Sequence, residues 1–343
     1  KLGIRDVIAL LGALAIFLFG MSTMTSGLEK LTSGKLASLL EKLTDNIFKG
    51  VLLGAVVAGM VHSSAATTVM CIGFVNAGIL KLRQAVGVIM GANIGTTITG
   101  QLIALDVGVL APLFAFVGVA MVVFVKKPQV RHYGSILAGL GVLFIGMDMM
   151  STAMEPLRDW PAFVELVSTF SNPLVGILVG AGFTALIQSS SASVGILQAL
   201  ALSGVIGLDS AVFVLFGQNI GTCITAVLAA IGTNRNAKRA TLIHLMFNLI
   251  GTAIFTTLFV LFPIAAVVEG TLVLPGEVGR TLSHLIPTDP MAQIAMTHTV
   301  FNITTTLVLL PLGNYLAKLA IRILPDQAVE TEDQESMTLA YLT

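Results

Sequence analysis

GAVVAGMVHSSAATT (residues 54–68) and GAGFTALIQSSSASV (residues 180–194) are one pattern written twice: an apolar arm, a short break rich in serine, and the start of a second arm. The match extends well beyond these stretches. Residues 51–99 align without a gap on residues 177–225, 126 positions downstream, with 18 of the 49 pairs identical; MGANIGTTIT (90–99) falls on FGQNIGTCIT (216–225). Upstream, FLFGMSTMTSGLEKL (17–31) meets LFIGMDMMSTAMEPL (143–157) at the same shift. A shift held constant over such a length marks a duplicated unit.

Composition sets the medium in which the two copies fold. Hydrophobic residues make up 55% of the 343 and charged residues 10%, with zero net charge, where a soluble domain carries about a quarter charged residues. Mean hydropathy is +0.95. The chain therefore reads as an all-α, polytopic integral membrane protein. Stretches of about the 20 residues needed to span a bilayer occur at 7–28, 85–105, 109–125, 135–154, 211–231, 240–262 and 291–312, predicting seven crossings. Cys71 and Cys223 lie in apolar runs at non-equivalent positions of the repeat and read as packing residues.

The two serine-broken segments cannot be ordinary spans. Each break leaves arms of roughly 12 to 16 residues, and at 1.5 Å per residue an arm reaches only about 18 to 24 Å, short of the roughly 30 Å hydrocarbon core. A re-entrant hairpin with its tip deep inside the protein resolves this, because non-helical backbone at membrane depth survives only against protein or a watery cavity. Serine at the tip caps the returning helix and turns its partially positive N-terminus toward the pocket.

Three crossings plus one hairpin per unit start the second copy on the opposite face, so the repeats are expected to be inverted. The predicted organisation is a first inverted repeat over 1–133 with its hairpin at 50–80, and a second over 134–265 with its hairpin at 174–207. An extra loop and C-terminal transmembrane helix follow over 266–324, then a polar tail at 325–343. Lys126, Lys127 and Arg131 share a predicted face with Lys30, Lys35, Lys42, Lys49, Lys81, Arg83, Arg235, Lys238 and Arg239, while Glu155, Asp159, Glu165, Asp209, Glu269 and Glu277 lie on the other. Basic loops stay in the cytoplasm. The expected location is thus the inner (cytoplasmic) membrane, with the C-terminus inside.

Inverted repeats with broken helices meeting at mid-membrane form the pattern of a secondary transporter; an anion channel with opposed re-entrant loops is the competing reading. No phosphate-binding GxxxxGK[ST] loop is present, so the energy source is expected to be an ion gradient. No Lys, Arg, Asp or Glu occurs in 51–80 or 174–208. Neutral oxygens suit a weakly held cation such as sodium, and helix N-termini suit an anion. Co-binding sodium offsets the desolvation of that anion. An intramembrane hydrolase built on Ser189 or Ser190 is disfavoured, since no base sits at a position that suggests activation, and the chain is not expected to be an enzyme.

QSSSAS (188–193) with its degenerate partner HSSAAT (62–67), followed by GANIGT (91–96) and GQNIGT (217–222), resembles the type II sodium-phosphate cotransporter family in a bacterial form. The resemblance runs from Phe17 to about Leu312. It implies sodium-driven uptake of inorganic phosphate, with phosphate and sodium bound between the tips; an elevator-like motion that switches access is the expectation the paired hairpins themselves raise. Carried over residue by residue, it nominates Ser63, Ser64, Ser189, Ser190, Asn93 and Asn219 for phosphate, and Gln188, Ser191, Ser193, Thr67, Thr96 and Thr222 for sodium. Sodium is the only cofactor implied, with no other metal and no organic group. The implied partners are phosphate, sodium and the lipid bilayer, with no nucleic acid; a homodimer stands as the candidate assembly. A sodium symporter for another oxyanion or a carboxylate is the alternative within the same class. Bacterial members often continue into a helical, PhoU-like cytoplasmic domain, so this chain is expected to stop short of one.

The chain departs from the family pattern at His62, where the pattern has Gln, and at Ala65, where it has a third Ser. His62 reads either as a phosphate donor and pH sensor or as a structural partner of a tip carbonyl. Two HxxFN elements, His244 with Asn248 and His298 with Asn302, also look like the family's. Spacing i, i+4 puts each His and Asn on one helix face. The sober reading is helix-to-helix hydrogen bonding and the sharper one is contact with sodium. Asp148, inside an apolar run where Ser22 holds the equivalent position, is a candidate ion ligand.

Overall fold

The computed structural model describes residues 3–42, 46–61, 63–105, 108–187 and 189–326, and every regular element among them is helical. The first copy contains α1 (Ile4–Lys42), α2 (Ile47–Val61), α3 (Ser64–Asn76), α4 (Leu82–Ile103) and α5 (Ala111–Phe124). The second contains α6 (Pro128–Arg158), α7 (Pro161–Ser168), α8 (Pro173–Ile187), α9 (Ser190–Leu202), α10 (Leu208–Gly221), α11 (Cys223–Ala230) and α12 (Arg235–Leu261). Beyond them lie α13 (Ile264–Glu269), α14 (Gly276–Leu285), α15 (Pro290–Leu309) and α16 (Gly313–Ile323).

The duplication is carried into the helix ends. Adding 126 to the bounds of α2 and α3 gives the bounds of α8 and α9 (47–61 to 173–187, 64–76 to 190–202), and the same shift takes the start of α4 to that of α10. Each short arm is also sealed to the span that follows it by glycine. A Cβ on Gly54 would lie 2.2 Å from the Val88 carbonyl oxygen, and one on Gly180 would lie 2.0 Å from that of Val214. Reciprocally, Gly91 meets Val51 and Gly217 meets Ile177, both at 2.0 Å. Only a residue without a side chain admits such an approach, which is the usual way helices pack where lipid supplies no hydrophobic drive.

Glycine likewise joins α1 to α6 in antiparallel contact, through Gly20 against Leu143, Gly139 against Met24 and Gly146 against Phe17. Gly12, on the same helix, faces open space.

Among the described residues, six helical segments are long and apolar enough to span a membrane: 4–31, 82–103, 128–157, 208–230, 235–261 and 290–323. The expected seventh crossing, 109–125, forms α5, which has 14 residues and a length of about 21 Å. It ends before Lys126, Lys127 and Pro128, whose charge and fixed φ close it, and it lies against α6 with Gly118 beside Ala138. The copies diverge most at their start. α1 runs unbroken for 39 residues, whereas its counterpart stops before Pro161 and the chain bends by 105° between 161–171 and 173–187.

Two apolar clusters hold the hairpins in different surroundings. The returning arm α9 packs with α1, α6 and α10 around Phe17, Leu143, Leu197 and Phe216. The arm α3 packs with α4, α12 and α16 around Ile72, Ile89, Phe247 and Leu316. Cys71 and Cys223 are buried free thiols within this packing. The 325–343 tail falls outside the described residues apart from Pro325 and Asp326, the latter paired with Arg239 at 3.1 Å.

Candidate functional site

The serines at the two breaks do what the local sequence dictates. Ser63 and Ser189 leave the helical range, at φ −145°, ψ 102° and φ −139°, ψ 106°, and begin α3 and α9. The Ser63 hydroxyl accepts from the Ala66 N–H at 3.0 Å and the Ser189 hydroxyl from the Ala192 N–H at 3.2 Å. Each cap satisfies one donor and leaves others of the first turn without an intrahelical acceptor.

Both tips open into the same cavity of about 450 Å³, lined by Ser63, Ser189, Ser191 and Ala192 from the hairpins and by Leu18, Met21, Ser22, Thr25, Ser26 and Glu29 from α1. The α1 residues Ser22, Thr25, Ser26 and Glu29 are spaced i, i+3, i+4, i+7, one polar stripe on an otherwise apolar helix. The sequence reading overlooked this stripe, although its helical spacing inside a span was visible. Ser64 and Ser190, nominated with the cap serines, are the first residues of their helices and do not line the cavity among the described residues. His62 and Gln188 lie outside the described residues.

The remaining nominated residues are buried around the tips instead of converging on the cavity. Ser191 donates to the Thr99 hydroxyl at 3.3 Å, joining the second tip to α4 of the first copy. Ser193 accepts from the Thr184 hydroxyl at 2.8 Å while its carbonyl takes the Gln218 amide at 3.1 Å. Thr67 donates to the Ser63 carbonyl, Thr96 to that of Ala92 and Thr222 to that of Asn219. Thr184, Gln218 and Gln198 had not been singled out.

The asparagines of the two NIGT breaks pair with those of the HxxFN elements. Asn93 donates to the Asn248 side-chain oxygen at 2.7 Å and Asn219 to that of Asn302 at 2.8 Å. In turn Asn248 donates to the His244 carbonyl and Asn302 to the His298 carbonyl. Two equivalent buried junctions result, α4 with α12 and α10 with α15. Each carries an extra contact, Asn248 Nδ2 to Cys223 Sγ at 3.2 Å in the first and His298 Nε2 to Asn219 Oδ1 at 3.3 Å in the second. Asp148 is exposed and lines a separate cavity of about 510 Å³ with Leu202 and Asp289. That cavity uses Phe144, Met147 and Asp148 of α6, the positions 126 beyond Leu18, Met21 and Ser22.

The sequence profile of the Na+/Pi-cotransporter family matches residues 16–152 and 161–271, both tips and both NIGT breaks included. The chain belongs to the Na+/Pi-cotransporter family. Among relatives of this Na+/Pi-cotransporter chain, the uncharacterized protein YqeW of Bacillus subtilis is 31% identical over 93% of this chain and 98% of its own length. The putative inorganic phosphate export protein YjbB of Escherichia coli is 26% identical over 93% of this chain. The chain spans 56% of that relative's length. Human sodium-dependent phosphate transport protein 2B is 35% identical over 30% of the chain. No solved structure matches the chain. With six spanning-length helices among the described residues, the chain is a multi-pass membrane protein of this family.

Proposed function

We propose that the protein is a symporter that couples inorganic phosphate to sodium across the cytoplasmic membrane and performs no covalent chemistry on its cargo. The carrying observation is that Ser63 and Ser189, each capping a helix, line one cavity. A helix N-terminus presents about half a positive charge together with free N–H donors, so two of them directed at one space suit a tetrahedral anion without a fixed cation. Desolvating that anion remains costly. Sodium bound to the surrounding neutral oxygens of Ser191, Ser193, Thr67, Thr96, Thr222 and Gln188 offsets the cost and couples the fluxes, while Ser64, Ser190, Asn93 and Asn219 complete or support the phosphate shell.

Alternating access follows from the duplication. Kept as the third crossing in spite of its 14 residues, α5 makes the repeats inverted, with the first hairpin's mouth and the C-terminus in the cytoplasm and the second hairpin's mouth outside. The α1 stripe ends at Glu29 beside Lys30, the start of the basic face, so the tip cavity opens inward. The cavity at Asp148, built from the equivalent face of α6, then marks the outward path. An elevator-like displacement of the hairpins against the flanking helices exchanges the two, within each protomer of a homodimer.

The name of YjbB favours a second direction, export. A coupled carrier runs whichever way the summed gradients point, so both directions belong to one mechanism. Uptake of radiolabelled phosphate into proteoliposomes, with inward, absent and outward sodium gradients, tests this. Phosphate should accumulate only with inward sodium and leave with outward sodium. Passive phosphate flux that ignores sodium would make the protein a channel.

A further inference from the structure

We infer that Glu29 is the residue by which the site selects a protonated oxyanion, phosphate, over a fully ionised one of the same shape, sulfate. The inference rests on the phosphate reading above and names how its substrate class is recognised.

Glu29 is the one charged side chain among the described residues lining the tip cavity, where the other polar groups are the hydroxyls of Ser22, Thr25, Ser26, Ser63, Ser189 and Ser191. Hydroxyls both donate and accept, and so do not distinguish the two anions. The helix N-termini supply donors only, and attract any anion. A carboxylate is different, because it can only accept. At neutral pH phosphate retains at least one P–O–H, which can donate to a carboxylate in a charge-assisted hydrogen bond. Sulfate has no proton to give. The carboxylate, exposed on the cavity wall, repels either anion by about 1 kcal/mol per pair of unit charges at 4 Å in water, and only the protonated one offsets that repulsion with a hydrogen bond.

Position supports this division of labour. Ser22 and Glu29 are seven residues apart on α1, about 10 Å along the helix axis, so the stripe carries hydroxyls at one end and the carboxylate at the other. An arriving anion therefore meets both the attractive helix ends and the carboxylate in one cavity. The separate cavity on α6 has Asp148 at the position where the tip cavity has Ser22.

The test measures phosphate uptake by proteoliposomes with sulfate and arsenate as competitors, in the wild type, Glu29→Gln and Glu29→Asp. In the wild type, arsenate, which also carries a proton, should compete and sulfate should not. In Glu29→Gln the preference for phosphate over sulfate should fall by about tenfold to a hundredfold, the span of one lost charge-assisted hydrogen bond, because the amide can donate to either anion. Glu29→Asp, which keeps a carboxylate, should retain most of the preference. An unchanged preference in Glu29→Gln, or sulfate competing as well as arsenate in the wild type, would overturn the inference while leaving phosphate transport intact. Wild-type vesicles that take up no phosphate under any sodium gradient would instead overturn the transport reading, and this inference with it.

Discussion

The two hairpins share their helix bounds to the residue yet are fastened in different ways. The second is tied by side chains: Thr184 to Ser193, Gln218 to the Ser193 carbonyl, Ser191 to Thr99, and Gln198 to the carbonyls of Gly100 and Met291. Subtracting 126 from the second-copy residues leads to Ala58, Thr67, Ala92, Ala65 and Ile72, four of which carry no polar group. Thr67 there turns back to its own tip at Ser63. The first hairpin is therefore held by glycine-mediated contact and apolar packing, with a polar tie at its mouth where Asn234 bonds Asn76. Duplication preserved the shape, and divergence redistributed the bonds. The second hairpin is accordingly expected to be the rigid reference and the first the more mobile partner.

The largest effects should fall where the copies agree. Gly91→Leu and Gly217→Leu each push a side chain into a backbone carbonyl 2.0 Å from the new Cβ, and overpacking of this kind costs about 1–3 kcal/mol or more. Both variants should show strongly lowered thermal stability in detergent, to a similar degree; a clear difference between them would break the equivalence of the two arms.

Next in size, Gln218→Ala should loosen the second hairpin by about 1–3 kcal/mol, because it removes the amide bond to the Ser193 carbonyl and leaves a cavity where the buried Gln218 side chain stood. Hydrogen exchange should rise in α9 toward the level of α3, which is expected to exchange faster in the wild type. Equal protection of α3 and α9 before mutation would contradict the comparison.

Double-mutant cycles on the two asparagine junctions should give smaller numbers, about 0.6 to 1.7 kcal/mol each, the range for hydrogen bonds between membrane helices. The Asn219–Asn302 cycle should be the larger, since His298 meets Asn219 through an imidazole nitrogen, whereas the extra partner of Asn248 is the weakly accepting sulfur of Cys223. A stronger Asn93–Asn248 coupling would remove the asymmetry at this level. Smallest of all, Asp148→Asn should leave the apparent affinity for phosphate within about twofold when phosphate is presented from the Ser63 and Ser189 side, a change below ~0.5 kcal/mol.

The hairpins were legible because their signal is local. Arm length and serine breaks decide re-entrance within some 30 residues, and the constant shift supplied the second example. The α5 boundary was not, since apolar content in 109–125 says nothing about where Pro128 and the lysines before it end the helix. The pairing of Asn93 with Asn248 and Asn219 with Asn302 joins residues 155 and 83 positions apart, beyond the reach of any periodicity. The second pairing draws α15 into the core from a segment set apart as an addition to the repeats. Of the cavity, the tips came from sequence and the wall did not. The duplication directed attention to the serine breaks, whereas Glu29, although matched by Glu155 in the second copy, stands on a wall of the cavity that α1 supplies.

The most direct test of a shared anion site places one cysteine at each tip, Ser63→Cys and Ser189→Cys in turn, with the native Cys71 and Cys223 buried from reagent. Alkylation by a water-soluble maleimide should be slowed at both positions by phosphate with sodium and by neither alone. Protection of one position only, or of neither, would contradict a cavity in which both tips hold the same phosphate.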